Sequence, residues 1–143
     1  ESNMRYTYIK GAKEFVESLK KLGIKTALVT SSNQEKMENV YKKIPYFKTL
    51  FDKIFTAEMF TKGKPDPECY ILGAKSFNAK IQNCIVFEDS FHGLEAGRNA
   101  GMTVVGLATT NPRTSIASLA NLVIDDFSQF NVSRIFELLK VHF

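Results

Sequence analysis

The 143-residue chain has no apolar run that approaches the ~18–20 residues needed to span a bilayer. Its first residues, Glu1 to Arg5, do not resemble a signal peptide. The two cysteines, Cys69 and Cys84, lack the spacing of metal ligands, and without an export signal we expect them to be reduced. These absences predict no membrane association and a cytoplasmic location.

The chain also lacks the patterns of nucleic-acid binding, although its net charge is +4. The basic residues are scattered, and there is no arginine-rich run, zinc-finger spacing or aromatic RNA-binding pattern. No Gly-x-Gly-x-x-Gly follows a predicted strand, which argues against a dinucleotide-binding domain. His92 falls in the first turn of a predicted helix and His142 near the end of the chain, so neither is a credible general base. We therefore expect no nucleic-acid partner.

What the sequence does contain is an alternation of apolar strands and helices within one domain-sized length. Hydrophobic residues make up 44% and charged residues 24% of the chain, as in ordinary globular proteins. Continuous apolar runs predict strands at 26–30, 53–56, 84–87, 103–107 and 122–124. Helical periodicity predicts helices at 11–22, 33–44, 68–77, 91–100, 114–120 and 132–141. This order predicts a single α/β domain over residues 1–143, with a three-layer arrangement around a parallel sheet.

An acidic pair, Glu88-Asp89, ends the apolar run 84–87 and directly precedes a segment rich in small residues. Adjacent carboxylates repel each other unless a cation neutralises them, and oxygen-only ligands suit Mg²⁺. The alternative is an acidic helix start, in which Asp89 or Ser90 caps the helix that follows. From these residues alone, both interpretations stay open.

Two further polar segments follow predicted strands, where open parallel sheets bind their ligands. Thr30-Ser31-Ser32-Asn33 could cradle an anion at a helix N-terminus, or Ser32 or Asn33 could simply cap that helix. Lys64 lies in a stiff loop, Gly63-Lys64-Pro65-Asp66-Pro67, and could bind phosphate as a point charge or be merely solvated. Each segment alone is ambiguous.

Taken in order along the chain, these segments resemble the haloacid dehalogenase-like (HAD) hydrolase superfamily, in its phosphatase and β-phosphoglucomutase-like branch. The resemblance covers about residues 11–126. Residues 28–32 look like motif II, with Thr30 as the phosphate-binding hydroxyl. Residues 63–67 look like motif III, with Lys64 pairing the charges of the phosphate and the nucleophile. A HAD-like, Rossmann-like fold is what the resemblance implies.

Residues 86–90, continued by the small residues up to Met102, look like motif IV of the same superfamily, in which Glu88 and Asp89 hold Mg²⁺. The resemblance thus implies Mg²⁺-dependent phosphoryl transfer on a small phosphorylated metabolite, expected to be a sugar phosphate, by a phosphatase or a phosphomutase. It makes Thr30 and Lys64 catalytic residues. The residues expected to contact the non-reacting part of the substrate are Ser31, Ser32 and Asn33.

Motif I of the superfamily, Asp-x-Asp after an N-terminal strand, has no counterpart in the sequence. By resemblance, the chain looks like the C-terminal core portion of a longer protein that also carries the nucleophilic aspartate, the first central strand and the mobile cap. That strand is expected between the strands at 26–30 and 84–87. We therefore expect the chain as given to be inactive and to need the missing N-terminal segment, supplied in cis or in trans.

Two rival functions remain. A metal-free dehalogenase would not need an acidic Mg²⁺ pair, so Glu88-Asp89 argues against it. A non-catalytic binding or interaction module derived from the HAD fold is the alternative from another class, because the sequence has no Asp-x-Asp.

Overall fold

The computed structural model of the protein describes residues 9–142. Its helices are α1 (Ala12–Lys21), α2 (Gln34–Lys43), α3 (Phe47–Leu50), α4 (Glu68–Ser76), α5 (Phe91–Asn99), α6 (Arg113–Ile116) and α7 (Val132–His142). Its strands are β1 (Ala27–Val29), β2 (Lys53–Phe55), β3 (Ile85–Glu88), β4 (Thr103–Leu107) and β5 (Leu122–Ile124). The alternation predicted from apolar periodicity is therefore confirmed, with boundaries shifted by a few residues.

The helices that precede the site begin and end where side-chain chemistry favours it. Asn33 caps α2 by accepting the Lys36 N–H, and lysines occupy the last turns of both α1 and α2. Side-chain caps satisfy the unpaired N–H groups of a first turn, and cations suit the negative C-terminal end of a helix. These local preferences fix α2 directly behind the polar turn that follows β1.

All five strands run parallel to their neighbours, but they form two sheets. β1 pairs with β2, whereas β4 lies between β3 and β5. Every residue of β4 is buried, as expected for a central strand covered on both faces. In parallel sheets the carboxyl ends of the strands meet at one edge, so the polar residues after β1, β3 and β4 are brought to the same side of the molecule.

A cleft separates the two sheets. Within residues 9–142 no strand lies between β1 and β3, and a cavity of about 570 Å³ is lined by residues of both strands. Leu28 and Val29 of β1 and Val86 and Phe87 of β3 are among the lining residues, and Glu88 lies there too. The cleft is mainly apolar. It lies between the two strands where the resemblance to the superfamily leads us to expect a further strand.

Helices cover both faces of the β3–β4–β5 sheet, which confirms the three-layer prediction. On one face, Phe15 of α1 and Ile135 of α7 pack with Phe87 and with Phe127 and Phe130. On the other face, α5 lies so close to the sheet that a Cβ atom at Gly97 would be 2.8 Å from Val104 Cγ2. A glycine at that position therefore permits the close helix–sheet contact.

Two short elements differ from the prediction. The helix expected over 114–120 consists of α6 followed by a 3₁₀ turn, Ala117–Leu119. The chain then turns extended because Asn121 pairs with Val104 of β4 through both its backbone and its carboxamide. The four-residue helix α3 was not predicted, although it buries Phe47 and Leu50.

Among the residues that the structure describes, none of the helices has the length and apolar character that crossing a membrane requires.

Candidate active site

Glu88 and Asp89 lie at the carboxyl end of β3 and are almost completely buried, with 3% and 7% of their surfaces exposed. Successive side chains of an extended chain point to opposite sides. Accordingly, Glu88 contacts the loop before α4 and the start of α4 itself, whereas Asp89 contacts the loop that follows β4. The acidic pair thus divides into two carboxylates with different partners.

Glu88 is bound by a lysine and a tyrosine at the same oxygen. Lys64 Nζ lies 2.8 Å from Glu88 Oε2, and the Tyr70 hydroxyl donates to that oxygen at 2.6 Å. Lys64 also donates to the backbone carbonyl of Val29 at 3.2 Å, and its ammonium lies 5.3 Å from the centre of the Tyr70 ring. The lysine therefore links the ends of β1 and β3 across the cleft.

These partners outweigh the effect of burial on the ionisation of Glu88. Burial raises the pKa of Glu88. The nearby Lys64 ammonium and the hydrogen bonds that the carboxylate accepts lower the pKa by more than burial raises it, so that the pKa lies below its ordinary value. The other oxygen, Oε1, accepts the backbone N–H of Asp89 at 3.1 Å. Glu88 is therefore held as a buried carboxylate anion.

Asp89 is held by the segment that follows β4. The Thr110 hydroxyl donates to Asp89 Oδ2 at 2.7 Å, and the Thr109 hydroxyl lies at 3.5 Å from the same oxygen. The Asn111 side-chain amide donates to the Asp89 backbone carbonyl at 3.2 Å. Asp89 does not cap α5; Ser90 does, by accepting the Gly93 N–H at 3.0 Å. The N-terminus of α5 is therefore capped by Ser90 and not by Asp89.

The polar turn after β1 brings Thr30 to the same edge as Lys64. Thr30 is buried, and its hydroxyl accepts the Ser32 N–H at 3.0 Å. Asn33 is committed as the cap of α2, and the N–H of Gln34 is bound by the Glu58 carboxylate. Protein groups therefore already satisfy these donors at the start of α2, and the capping interpretation is correct for Asn33. Substrate contacts by Ser31, Ser32 and Asn33 stay predictions.

The loop that carries Lys64 is fixed at both ends. Glu68 accepts the backbone N–H groups of Thr61 and Lys62 and the Thr61 hydroxyl. On the far side, the Asn99 side-chain amide of α5 donates to the Pro65 carbonyl at 3.1 Å. The stiffness inferred from the glycine and prolines is thus reinforced by side-chain hydrogen bonds. Lys64 itself is only 11% exposed, so it is not a merely solvated lysine.

The donor set suits Mg²⁺ in its chemistry. Residues 9–142 contain no group of three or more His, Cys, Asp or Glu side chains that could hold a metal ion. Mg²⁺, however, commonly takes only one or two protein carboxylates together with waters and substrate phosphate oxygens. The oxygens of Glu88 and Asp89 at the strand end are of that kind. The assignment of both as metal ligands stays a prediction.

Sequence reasoning missed four residues of this site, which are Tyr70, Thr109, Thr110 and Asn111. The signal for the last three was present: Thr-Thr-Asn follows β4, and β4 neighbours β3, so its polar residues reach the same edge. Tyr70 falls within the helix predicted over 68–77. Nothing in its spacing indicates that its hydroxyl reaches the end of β3.

Comparison with known proteins agrees with this geometry. Residues 1–107 match the family model described as haloacid dehalogenase-like hydrolase. The chain is 31% identical over 121 residues to the validoxylamine A 7'-phosphate phosphatase of Streptomyces hygroscopicus subsp. limoneus, which covers 85% of this chain and 56% of that protein.

Solved structures give the same result. A HAD hydrolase of family IA, variant 3, from Entamoeba histolytica has a TM-score of 0.86 and 30% identity, over 92% of this chain and 60% of that one. The β-phosphoglucomutase of Clostridium difficile has a TM-score of 0.77 and 28% identity, over 94% of this chain and 57% of that one. The chain thus spans little more than half the length of these relatives. Together, the matched residues, the parallel fold and the meeting of Thr30, Lys64 and Glu88 at one edge place the chain in the haloacid dehalogenase-like hydrolase family.

Proposed function

We propose that the complete protein catalyses Mg²⁺-dependent phosphoryl transfer on a small phosphorylated metabolite, with a sugar phosphate as the expected substrate. The family relationship supports phosphoryl hydrolysis or transfer in general. The names of the relatives, a validoxylamine A 7'-phosphate phosphatase and a β-phosphoglucomutase, support a small phosphorylated substrate, which in the second case is a sugar phosphate.

The observation that carries the proposal is the position of Lys64. Its ammonium lies between the Glu88 carboxylate and the Val29 carbonyl, directly before Thr30, at the edge where the strands end. An ammonium fixed there can stabilise negative charge on a transferring phosphoryl group without having to reorganise. The Thr30 hydroxyl, in the residue that follows Val29, supplies a neutral donor at the same edge. Lys64 and Thr30 thus have the positioning and charge-stabilising roles that phosphoryl transfer requires.

Asp89 and Glu88 are the residues that would hold Mg²⁺. When bound, the ion supplies charge neutralisation at the phosphoryl oxygens. Glu88 has the additional task of keeping the Lys64 ammonium in place, because the two side chains form a nearly buried ion pair. Asp89 is held through the hydroxyl groups of Thr109 and Thr110.

A nucleophile is not part of this arrangement, since the sequence contains no Asp-x-Asp. We propose that a further segment, in cis or in trans, supplies that aspartate from the cleft between β1 and β3. A strand in the cleft would end beside Glu88 and Lys64, both of which are near its lining. On this proposal the chain as given does not turn over substrate by itself.

The test begins with the reading frame that encodes this chain. We expect an apolar strand that ends in Asp-x-Asp upstream, and we expect the polypeptide that includes it to release inorganic phosphate from sugar phosphates with Mg²⁺ but not with EDTA. Lys64→Ala should lower that rate on the order of 10²-fold, as loss of a charge-stabilising donor does. The matched control is Lys62→Ala, an exposed lysine of the same loop.

A polypeptide with the Asp-x-Asp segment that neither releases phosphate from any sugar phosphate nor converts one sugar phosphate into its isomer would contradict the proposal. The interaction module would be favoured if the reading frame has no such segment and the chain binds neither Mg²⁺ nor inorganic phosphate. It would also be favoured if the chain binds Mg²⁺ and phosphate but Asp89→Asn abolishes the binding of neither.

A further inference from the structure

The loop after β4 contributes an unusual concentration of donors to one residue. Thr109, Thr110 and Asn111 are consecutive, and all three direct side-chain donors at Asp89. Two of these donors reach the carboxylate oxygen Oδ2, and the third reaches the backbone carbonyl. Both the side chain and the main chain of Asp89 are thereby tied to the neighbouring strand of the sheet.

The two threonine contacts differ in strength. The Thr110 hydroxyl lies 2.7 Å from Oδ2, the usual length of a hydrogen bond to a carboxylate, whereas the Thr109 hydroxyl lies at 3.5 Å. Thr110 is therefore the main donor and Thr109 an auxiliary one. This difference predicts effects of different size when each hydroxyl is removed.

We propose that Thr110 is a positioning residue that fixes the Asp89 carboxylate for a divalent cation, with Thr109 and Asn111 in support. A carboxylate that ligates a metal ion is usually oriented by further hydrogen bonds, and removal of such a partner typically costs 10–100-fold in metal affinity. Because Thr110 donates to Oδ2, the Asp89 carboxylate would already be oriented when a cation binds.

The inference rests on the proposed function, since it presupposes that Asp89 is a metal ligand. It adds that cation affinity depends on a hydroxyl in a loop outside the motifs that define the family resemblance. Thr110 would affect cation affinity through Asp89, and no contact between Thr110 and the substrate is implied.

The experiment titrates this chain with Mn²⁺ in the presence of inorganic phosphate, with free Mn²⁺ followed by electron paramagnetic resonance and Mg²⁺ as competitor. Thr110→Val, which keeps the shape but removes the donor, should weaken the affinity about 10–100-fold. Thr109→Val should weaken it by less, and Thr110→Ser should restore it. The matched control is Thr114→Val, an exposed threonine of α6, which should bind as the wild type does.

A merely structural role is separated by a second measurement. Thr110 is exposed, so Thr110→Val should fold, although loss of the hydrogen bond to the Asp89 carboxylate lowers its stability. The affinities are therefore compared at a temperature at which circular dichroism in EDTA shows Thr110→Val and Thr114→Val to be fully folded. Wild-type affinity in Thr110→Val, combined with loss of binding in Asp89→Asn, would overturn the inference but leave the proposed metal site intact. Absence of Mn²⁺ binding in the wild type, or binding unaffected by Asp89→Asn, would overturn both for this chain.

Discussion

Gly93, in the first turn of α5, lies directly against the side chain of Glu88. A Cβ atom at this glycine would be 2.0 Å from Glu88 Cδ and 2.2 Å from Oε2. The helix that follows the acidic pair can therefore begin where it does only because residue 93 has no side chain. The position of Glu88, and with it the ion pair to Lys64, depends on that space.

We predict that Gly93→Ala destabilises the protein by about 1–3 kcal/mol, the usual cost of overpacking a core. Glu88 is buried and bound on both oxygens, so it cannot move away without losing hydrogen bonds. The measurement is urea unfolding followed by circular dichroism. Gly63→Ala is the control, because nothing lies within 4 Å of a Cβ built there. Equal stability of the two variants would show that Glu88 is not confined as described.

The hydroxyl of Tyr70 gives a second prediction. Tyr70→Phe removes a 2.6 Å hydrogen bond to the Glu88 carboxylate while keeping the ring that lies beside the Lys64 ammonium. A hydrogen bond to a charged group contributes about 1.5–3 kcal/mol, so a loss of that order in the free energy of unfolding is expected. Tyr46→Phe, at an exposed tyrosine, is the matched control. An unchanged unfolding free energy for Tyr70→Phe would contradict the assigned role.

The pH dependence of the Lys64 loop follows from Glu68. Hydrogen bonds from the Thr61 N–H, the Thr61 hydroxyl and the Lys62 N–H hold the pKa of Glu68 below its ordinary value. A lowered folded-state pKa contributes stability that is present above the unfolded pKa and is lost as the pH falls through the folded one.

We therefore expect the carboxyl carbon of Glu68 to titrate in an NMR experiment at a lower pH than an ordinary glutamate, with the amide signals of Thr61 and Lys62 shifting at the same pH. Glu68→Gln should abolish this linked shift, because the amide accepts these hydrogen bonds more weakly than the carboxylate does. The control is Glu35→Gln, which removes a charge from the first turn of α2 and should leave the linked shift of the Thr61 and Lys62 amides unchanged. Titration of Glu68 at or above its ordinary value would disprove the loop contacts.

The order of the elements and the location of the site were predictable because each depends on local pattern. Apolar runs bounded by polar or glycine-containing turns mark the strands, and the polar residues that end parallel strands must meet at one edge. The partners of Glu88 and Asp89 were not predictable in the same way. Tyr70 is 18 residues from Glu88 along the chain, so their contact depends on how α4 packs against the sheet.

The choice between capping and anion binding at Asn33 was also beyond the sequence. The carboxylate that binds the Gln34 N–H belongs to Glu58, 24 residues away, in the segment after β2. Only the pairing of β1 with β2 brings that carboxylate to the start of α2. The helix α3 was missed for a different reason, since four residues are too few to establish a periodicity.

The cleft between β1 and β3 makes the last prediction, which concerns the exchange of backbone amide hydrogens. β4 has a strand on each side, whereas β1 and β3 each have one strand neighbour among the described residues. The backbone N–H and C=O groups of β1 and β3 that face the cleft have no neighbouring strand to pair with. Each such group that is buried and unpaired costs about 1–3 kcal/mol, against a total stability of ~5–15 kcal/mol.

In this chain we expect the cleft-facing amides of β1 and β3 to exchange much faster than the amides of β4. In a polypeptide that includes the Asp-x-Asp segment, a strand in the cleft should slow exchange in β1 and β3 selectively. β2 and β5 are the internal controls, because each lies at an outer edge of its sheet and gains no neighbour. If β1 and β3 already exchange as slowly as β4 in this chain, the cleft is closed without a further strand. The proposal that another segment supplies the nucleophile from the cleft would then be wrong.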